Sequence, residues 1–314
     1  MGEQPHRPVL LKEVVTAMNI REDGFYLDAT AGRGGHIAAI LACLGPNGRI
    51  LAFDRDPQAV AYVAGRFHDD ERITVHHARF SDLSSHLQSG DCLDGILFDF
   101  GVSSPQLDEA GRGFSFQHDG PLDMRMNPDE GVSAAQWLAT AEKNEIRDIL
   151  KRLGEERHAG RIAAAIVHER DETPITTTRQ LAKLIDSVVP MRGREKGKHP
   201  ATRSFQAIRI HINAELDEIA SVLPQALEAL CSGGRLLTIC FHSLEDRIVK
   251  RFMRREARGE ELPPEIPVRG GNRGQTLRIS GKPLRASAHE VKTNPRARSA
   301  ILRVAERLPF EAAA

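Results

Sequence analysis

Through roughly the first hundred residues, short apolar runs of β character alternate with stretches whose apolar positions recur at helical spacing. This is the pattern of a mostly parallel sheet covered by helices. The runs predict strands over 25–30, 49–54, 73–77 and 93–100, and the last is nearly all apolar, as a strand buried on both faces requires. A helix is predicted over 36–44, closed by Gly45-Pro46-Asn47-Gly48, and Asp56 and Pro57 are placed to cap and open the next one. The following convincing strand is 235–241, about 135 residues further on, although a crossover helix needs only about a dozen. Something is inserted there.

The stretch 107–212 reads as mostly helical, with segments over 133–140, 144–152, 160–169 and 178–189. Helices over 214–230 and 243–258 then resume the core, the second opened by a capping pattern running from Ser243 to Asp246, and a strand over 300–306 closes the sheet. A Pro- and Gly-rich stretch, 261–275, is expected to be a mobile loop. The expected organisation is an α/β, Rossmann-like core formed by 1–106 and 213–314, with a helical domain inserted at 107–212.

Composition narrows the class. Hydrophobic residues make up 40% and charged residues 27%, ordinary for a globular protein and unlike a disordered or membrane-embedded one. No apolar run reaches spanning length and the first residues do not form a signal-peptide pattern, so a cytoplasmic location and no membrane partner are expected. Cys43, Cys92, Cys231 and Cys240 form no metal-binding pair and read as reduced core thiols. His76 and His77 stand without other ligand types, so no metal site is expected.

The chemistry concentrates at two strand ends. Asp28-Ala-Thr-Ala-Gly32-Arg-Gly34-Gly35-His36 leaves the first strand and opens a helix, the place where open α/β sheets bind nucleotides. A dinucleotide fingerprint counted from Gly32 would need glycine where Ile37 stands, which weakens a nicotinamide reading. Asp28, Gly32, Gly34 and Gly35 instead suit a methyltransferase, in which a glycine turn passes the methionine part of S-adenosylmethionine. Asp54, ending the second strand, is placed to accept from both ribose hydroxyls, and Phe80 to line an adenine pocket. Asp99, at the end of the fourth strand, faces the same crevice, where its carboxylate could accept N–H bonds from an exocyclic amine awaiting methylation. Catalysis and cofactor binding are equally open for Asp99; Ser103 is a weaker catalytic candidate that could simply hold the loop.

These motifs, with Arg112-Gly-Phe-Ser-Phe116, Gly120-Pro-Leu-Asp-Met-Arg125, His199-Pro-Ala-Thr-Arg203-Ser-Phe205-Gln206, Phe241-His-Ser-Leu-Glu-Asp-Arg247 and Asn294-Pro-Arg-Ala-Arg298-Ser, closely resemble the MraW (RsmH) family. The likeness runs from Val9 to about Arg307. It implies a class I methyltransferase core with a seven-stranded sheet, and transfer of a methyl group to N4 of a cytidine in the decoding centre of bacterial 16S ribosomal RNA. It implies cofactor contacts at Gly34, Gly35, His36, Asp54, Phe80, Asp99 and Gln106. The substrate would be the RNA, within an assembled small subunit or free, and the oligomeric state is left open, a homodimer included. Asp99-Phe-Gly-Val departs from the Asp/Asn/Ser-Pro-Pro-aromatic tetrapeptide of many other amino methyltransferases, so catalytic roles do not carry over from those enzymes.

Lys and Arg equal Asp and Glu at 43 each, so any polyanion-binding surface must be local. Three windows qualify: 191–211 and 247–258, each with six basic residues against one acid, and 266–285 with five against none. His199, Arg203, Phe205, Gln206, Arg209, Arg247, Arg296 and Arg298 are the RNA-binding candidates, offering phosphate contacts, stacking and base-edge hydrogen bonds. Trp137 fits a helix core better than a stacking platform.

Overall fold

In the computed structural model, residues 8–191, 197, 199–259 and 274–309 are described. The expected mobile loop lies outside them apart from its last two residues, and so do residues 192–196 and 198 of the basic window 191–211. The chain divides into two compact units, one running to Gly101 and resuming at Leu216, the other Val102–Glu215.

The first unit opens with α1 (Leu11–Met18) and then alternates β1 (Phe25–Asp28), α2 (Gly35–Leu41), β2 (Arg49–Asp54), α3 (Pro57–Arg66), β3 (Ile73–His77) and β4 (Leu93–Asp99). The second unit holds α4 (Ser104–Asp108), α5 (Ala134–Thr140), α6 (Lys143–Gly154), α7 (Ala159–Glu172), α8 (Thr178–Val188) and α9 (Thr202–Ile212). The chain returns through α10 (Glu215–Ala229), β5 (Leu230–Cys240) and α11 (Ser243–Arg258), and finishes with β6 (Leu277–Ile279), β7 (Leu284–Arg285), α12 (Ala288–Thr293) and β8 (Ile301–Arg307). Among the described residues no helix is long and apolar enough to cross a membrane.

The sheet order is β3-β2-β1-β4-β5-β8-β6, with β7 also on β8. β1 to β5 pair in parallel, and β8 runs antiparallel to β5. The tail strand therefore does not close the sheet. It lies inside it, and β6 and β7 pair end to end along its far side. The expected seven strand positions hold eight strands, because two short pieces share the outer position.

Period-two alternation sends successive side chains to opposite faces. Phe25, Leu27, Leu51, Phe53, Ile96, Phe98 and Leu236 form one core with Ile219, Val222 and Leu223 of α10 and Phe252 of α11. Tyr26, Ile50, Ala52, Leu97 and Leu237 form another with Val14 of α1, Ile37 of α2 and Val63 of α3. β1 is buried at every position, which explains why its sequence is a plain apolar run ended by Asp28.

Asp56 caps α3 by accepting from the Gln58 amide with Pro57 in the first turn, as its sequence requires. α11 is capped differently from the expected Ser243 pattern. His242 is its N-cap and Glu245 closes the capping box, one residue earlier, so Ser243 is already helical. The cysteine expectation also needs correction: Cys92 and Cys231 form a disulfide, and Cys43 is exposed. Cys92 and Cys231 flank Leu93 and Leu230, which pair where β4 meets β5. Only Cys240 is a buried thiol.

The second unit has its own core, with Met124, Trp137, Ile146, Leu150, Ile162, Leu181, Phe205 and Ile208 buried together. Capping boxes at Ser133/Gln136 and Thr177/Gln180 start α5 and α8. α6 and α9 pack closely at Gly154, where a Cβ would sit 2.6 Å from the Arg203 carbonyl oxygen.

Candidate active site

β1 lies at the point where the strand order reverses, between β2 and β4. Open α/β sheets leave a crevice there, beyond the carboxyl ends of the strands. Asp28, Asp54 and Asp99 are the last residues of these three strands. Each apolar strand ends where the chain must leave the core, and here each ends on a carboxylate.

Asp28 is 1% exposed, and its Oδ1 accepts from the Thr30 amide (3.1 Å) and hydroxyl (3.4 Å). Thr30 Oγ1 in turn accepts from the Asp99 amide at 2.7 Å, so one threonine ties the ends of β1 and β4 together. Asp54 Oδ2 accepts from the Gly32 amide at 2.8 Å and its Oδ1 from the Asp56 amide at 2.9 Å, which fixes the glycine turn against the end of β2. Gly34 is the N-cap of α2 at φ 68°, a conformation that suits glycine, and a Cβ there would lie 2.7 Å from the Phe67 ring. α2 consequently starts at Gly35 and places His36 in its first turn.

His36 is buried, and its Nε2 lies 3.7 Å from Asp99 Oδ2. Among the described residues neither His36 ring nitrogen nor Asp99 Oδ1 has a hydrogen-bond partner, although all three atoms are buried. Burial is the largest influence on Asp28 and pushes its carboxyl up to about 6. His36 and the Thr30 amide oppose the rise, while Asp99 and Asp54 add to it. Burial likewise lifts Asp54 to about 6, against the amide hydrogen bonds from Asp56 and Gly32 and the charge of Arg55. Groups this costly to ionise, beside polar atoms left unsatisfied, are the mark of a site completed by a ligand. Three carboxylates would repel a pyrophosphate and attract a cation bearing N–H and O–H donors. S-adenosylmethionine, with its sulfonium, ammonium and ribose hydroxyls, fits that set.

Phe80 follows β3 and is part-buried, its ring edge-on to Phe98 and Phe100 at 5.8 and 5.7 Å, so it belongs to an aromatic wall beside the residue that follows Asp99. Gln106 and Ser103 belong to the second unit. They cap α4 reciprocally, with the Ser103 amide donating to Gln106 Oε1 at 2.9 Å. That is a structural task for both, and it is the alternative already open for Ser103.

The RNA candidates separate on inspection. Phe205 is 4% exposed and packs edge-on against Phe116 at 4.8 Å, so it is a core residue and cannot stack on a base. Arg209 makes a two-pronged ion pair with Glu215, both contacts at 2.8 Å, which commits its charge within the protein. His199 is exposed, its Nδ1 accepting from the Ala201 amide, and Arg203 donates to the Glu155 carbonyl. Gln206 is part-buried; Arg247, Arg296 and Arg298 are exposed. Trp137 is buried, with its Nε1 donating to Glu145, in keeping with a core reading.

Sequence reasoning missed Thr30 and the struts of the second unit. Arg112, buried, donates to the Met126 and Arg125 carbonyls. Asn213 holds the Met126 amide and the Met124 carbonyl, and Arg125 forks onto Asp123. The Asp28-x-Thr30 spacing of an Asx turn was a usable signal for the first; nothing local marked Asn213.

Comparison with known proteins agrees with this geometry. The model of the MraW methylase family matches residues 3–308. A ribosomal RNA small subunit methyltransferase H from Thioalkalivibrio sulfidiphilus is 57% identical over 307 residues, covering 96% of this chain and 97% of the relative. Its counterpart from Nitrosomonas europaea is 53% identical over 310 residues, with coverage of 96% and 97%.

Proposed function

The chain belongs to the MraW methylase family, and from that premise we propose that it methylates N4 of a cytidine in the decoding centre of 16S ribosomal RNA. It is an S-adenosylmethionine-dependent methyltransferase of the α/β class I fold. Its relatives' names carry the small-subunit ribosomal RNA as acceptor class. The observation that carries the reading is the set of carboxylates at the ends of β1, β2 and β4, with buried polar atoms of His36 and Asp99 that have no hydrogen-bond partner among the described residues.

Bound S-adenosylmethionine supplies an electrophilic methyl group on a cationic sulfur. Asp54 would hold the two ribose hydroxyls, Gly34, Gly35 and His36 the methionine end, and Phe80 one face of the adenine. Asp28 keeps the strand end negative behind them. Gln106 is the remaining family-implied contact. Asp99 is assigned to the acceptor: its free Oδ1 accepts an N–H of the cytidine amine, turns the nitrogen lone pair toward the methyl group, and takes up the proton lost as the N–C bond forms and the S–C bond breaks. A base held in a folded RNA has to leave its stack to reach such a carboxylate. The second unit, with exposed His199 and part-buried Arg203 and Gln206, is assigned to substrate recognition, and the assembled small subunit is the preferred substrate over free RNA.

The test is chemical. Unmodified small subunits, free 16S RNA and DNA are each incubated with methyl-labelled cofactor and digested to nucleosides. Label in N4-methylcytidine from the small-subunit RNA is expected; label in 5-methylcytidine, in deoxynucleosides or in ribosomal protein would overturn the assignment.

A further inference from the structure

α11 carries a face that neither the core nor the cofactor site uses. At about 100° per residue, its six basic side chains, Arg247, Lys250, Arg251, Arg254, Arg255 and Arg258, fall within an arc of roughly 140°. No acid shares that arc. Asp246 lies outside it and is held by Arg303 (2.7 and 3.0 Å), and Glu256 lies on the opposite side of the helix, bound by Thr276 Oγ1. Arg255 is paired with Glu256; Lys250 is part-buried and the other five are exposed.

Such a face works against the helix that bears it. Like charges three and four residues apart repel, and the set 247, 250, 251, 254, 255 and 258 contains seven such pairs at these spacings. The opposite side of α11 is fully used, with Val249, Phe252 and Met253 buried in the sheet core. The helix therefore keeps no apolar face to insert into a bilayer. It also begins at the carboxyl edge of the sheet: His242, its N-cap, lies three residues beyond Ile239, which pairs with Asp99. The cationic face thus starts at the end of the sheet where the methyl acceptor is placed and runs for roughly 16 Å along the helix.

We infer that the exposed face of α11 is a phosphate track that holds the RNA backbone flanking the target nucleotide. The inference rests on the proposed RNA substrate and adds to it a surface, contributed by the methyltransferase core, that binds phosphates without reading bases.

The double variant R251Q/R254Q tests it, since neither residue belongs to the cofactor site. With unmodified small subunits as substrate, KM is expected to rise about tenfold at about 150 mM salt, and the slope of log affinity against log salt to flatten by about 1.4, two phosphates' worth on a single strand. Affinity for S-adenosylmethionine and kcat are expected to stay at wild-type values, with thermal stability unchanged or raised as repulsion is relieved. Wild-type KM and salt slope in the variant would overturn the track and leave the methylation assignment standing. Failure of the unaltered protein to methylate small-subunit RNA would overturn both. Loss in the variant of binding to anionic phosphatidylglycerol vesicles, with KM for subunits unmoved, would replace RNA by a membrane surface and also refute the inference.

Discussion

Asp54 shows how one carboxylate can serve a fold and a ligand at once. Its two oxygens already accept from the Gly32 and Asp56 amides, and each oxygen retains a lone pair for a ribose hydroxyl. Asp54→Ala is expected to weaken S-adenosylmethionine binding by roughly 1.5–3 kcal/mol, the scale of charge-assisted hydrogen bonds, and unchanged affinity in calorimetry would remove Asp54 from the site. Asp28 makes a second prediction, in pH. Its carboxyl is raised in the folded protein to about 6 from 3.8, chiefly by burial. Ionising it therefore costs stability: the penalty is absent below the unfolded value, grows between about pH 4 and 6, and is complete above that, at about 3 kcal/mol. Asp28→Asn, which keeps an acceptor for Thr30, is expected to raise the melting temperature of the ligand-free protein at pH 7.5 and to lose that advantage by pH 4.5. Equal gains at both pH values would show that the carboxylate is not penalised. The acids themselves were legible because each ends an apolar run. The buried approach of His36 to Asp99 was not, since it depends on where the fold sets the first turn of α2 relative to the end of β4.

At the scale of elements, legibility followed the source of the stabilising contacts. β1, β2 and β4 are apolar runs that each end on Asp, so local pattern and tertiary burial agree, whereas β3 (Ile-Thr-Val-His-His) has no fully buried position and rests on alternation alone. β6 and β7 have three and two residues, and only Leu277 among them is buried. Their strand character comes from hydrogen bonds offered by β8, which no local pattern announces. Phe205 was misread for a similar reason: its basic and polar neighbours suggested a surface, yet α9 turns that one ring inward. The Arg209 to Glu215 pair spans the end of α9, a separation outside the helical i,i+4 rule. The seam between α6 and α9 is close enough for a single added atom to matter. Gly154→Ala would set a methyl group 2.6 Å from the Arg203 carbonyl and 3.0 Å from Ala207 Cβ. The variant is expected to lose about 1–3 kcal/mol by overpacking, read as a lower denaturation midpoint; wild-type stability would mean that α6 and α9 part freely.

For the whole chain, the insertion sets the problem. The two compact units share one polypeptide, and β4 and β5 pair in parallel although the entire second unit lies between them in sequence. Pairing across so long a connection is slow to form and entropically expensive. The Cys92–Cys231 disulfide closes that same connection, joining residues 139 apart just beside the first β4–β5 pair. Reduction, or Cys92→Ser with Cys231→Ser, is expected to lower stability to denaturant by about 2–4 kcal/mol. Identical unfolding curves with and without reductant would show that the bridge adds nothing. The pairing could not be read from spacing, because it depends on the register of two strands far apart in the chain.

The central claim, that the carboxylates of the strand ends serve methyl transfer to one cytidine, is tested most directly by mapping the methyl group. Unmodified small subunits are treated with cofactor and either the wild-type enzyme or Asp99→Ala, and their RNA fragments are compared by mass. One added methyl on N4 of a single decoding-centre cytidine with the wild type, and none with the variant, is the predicted result. A methyl group elsewhere, or one placed equally well without Asp99, would contradict it.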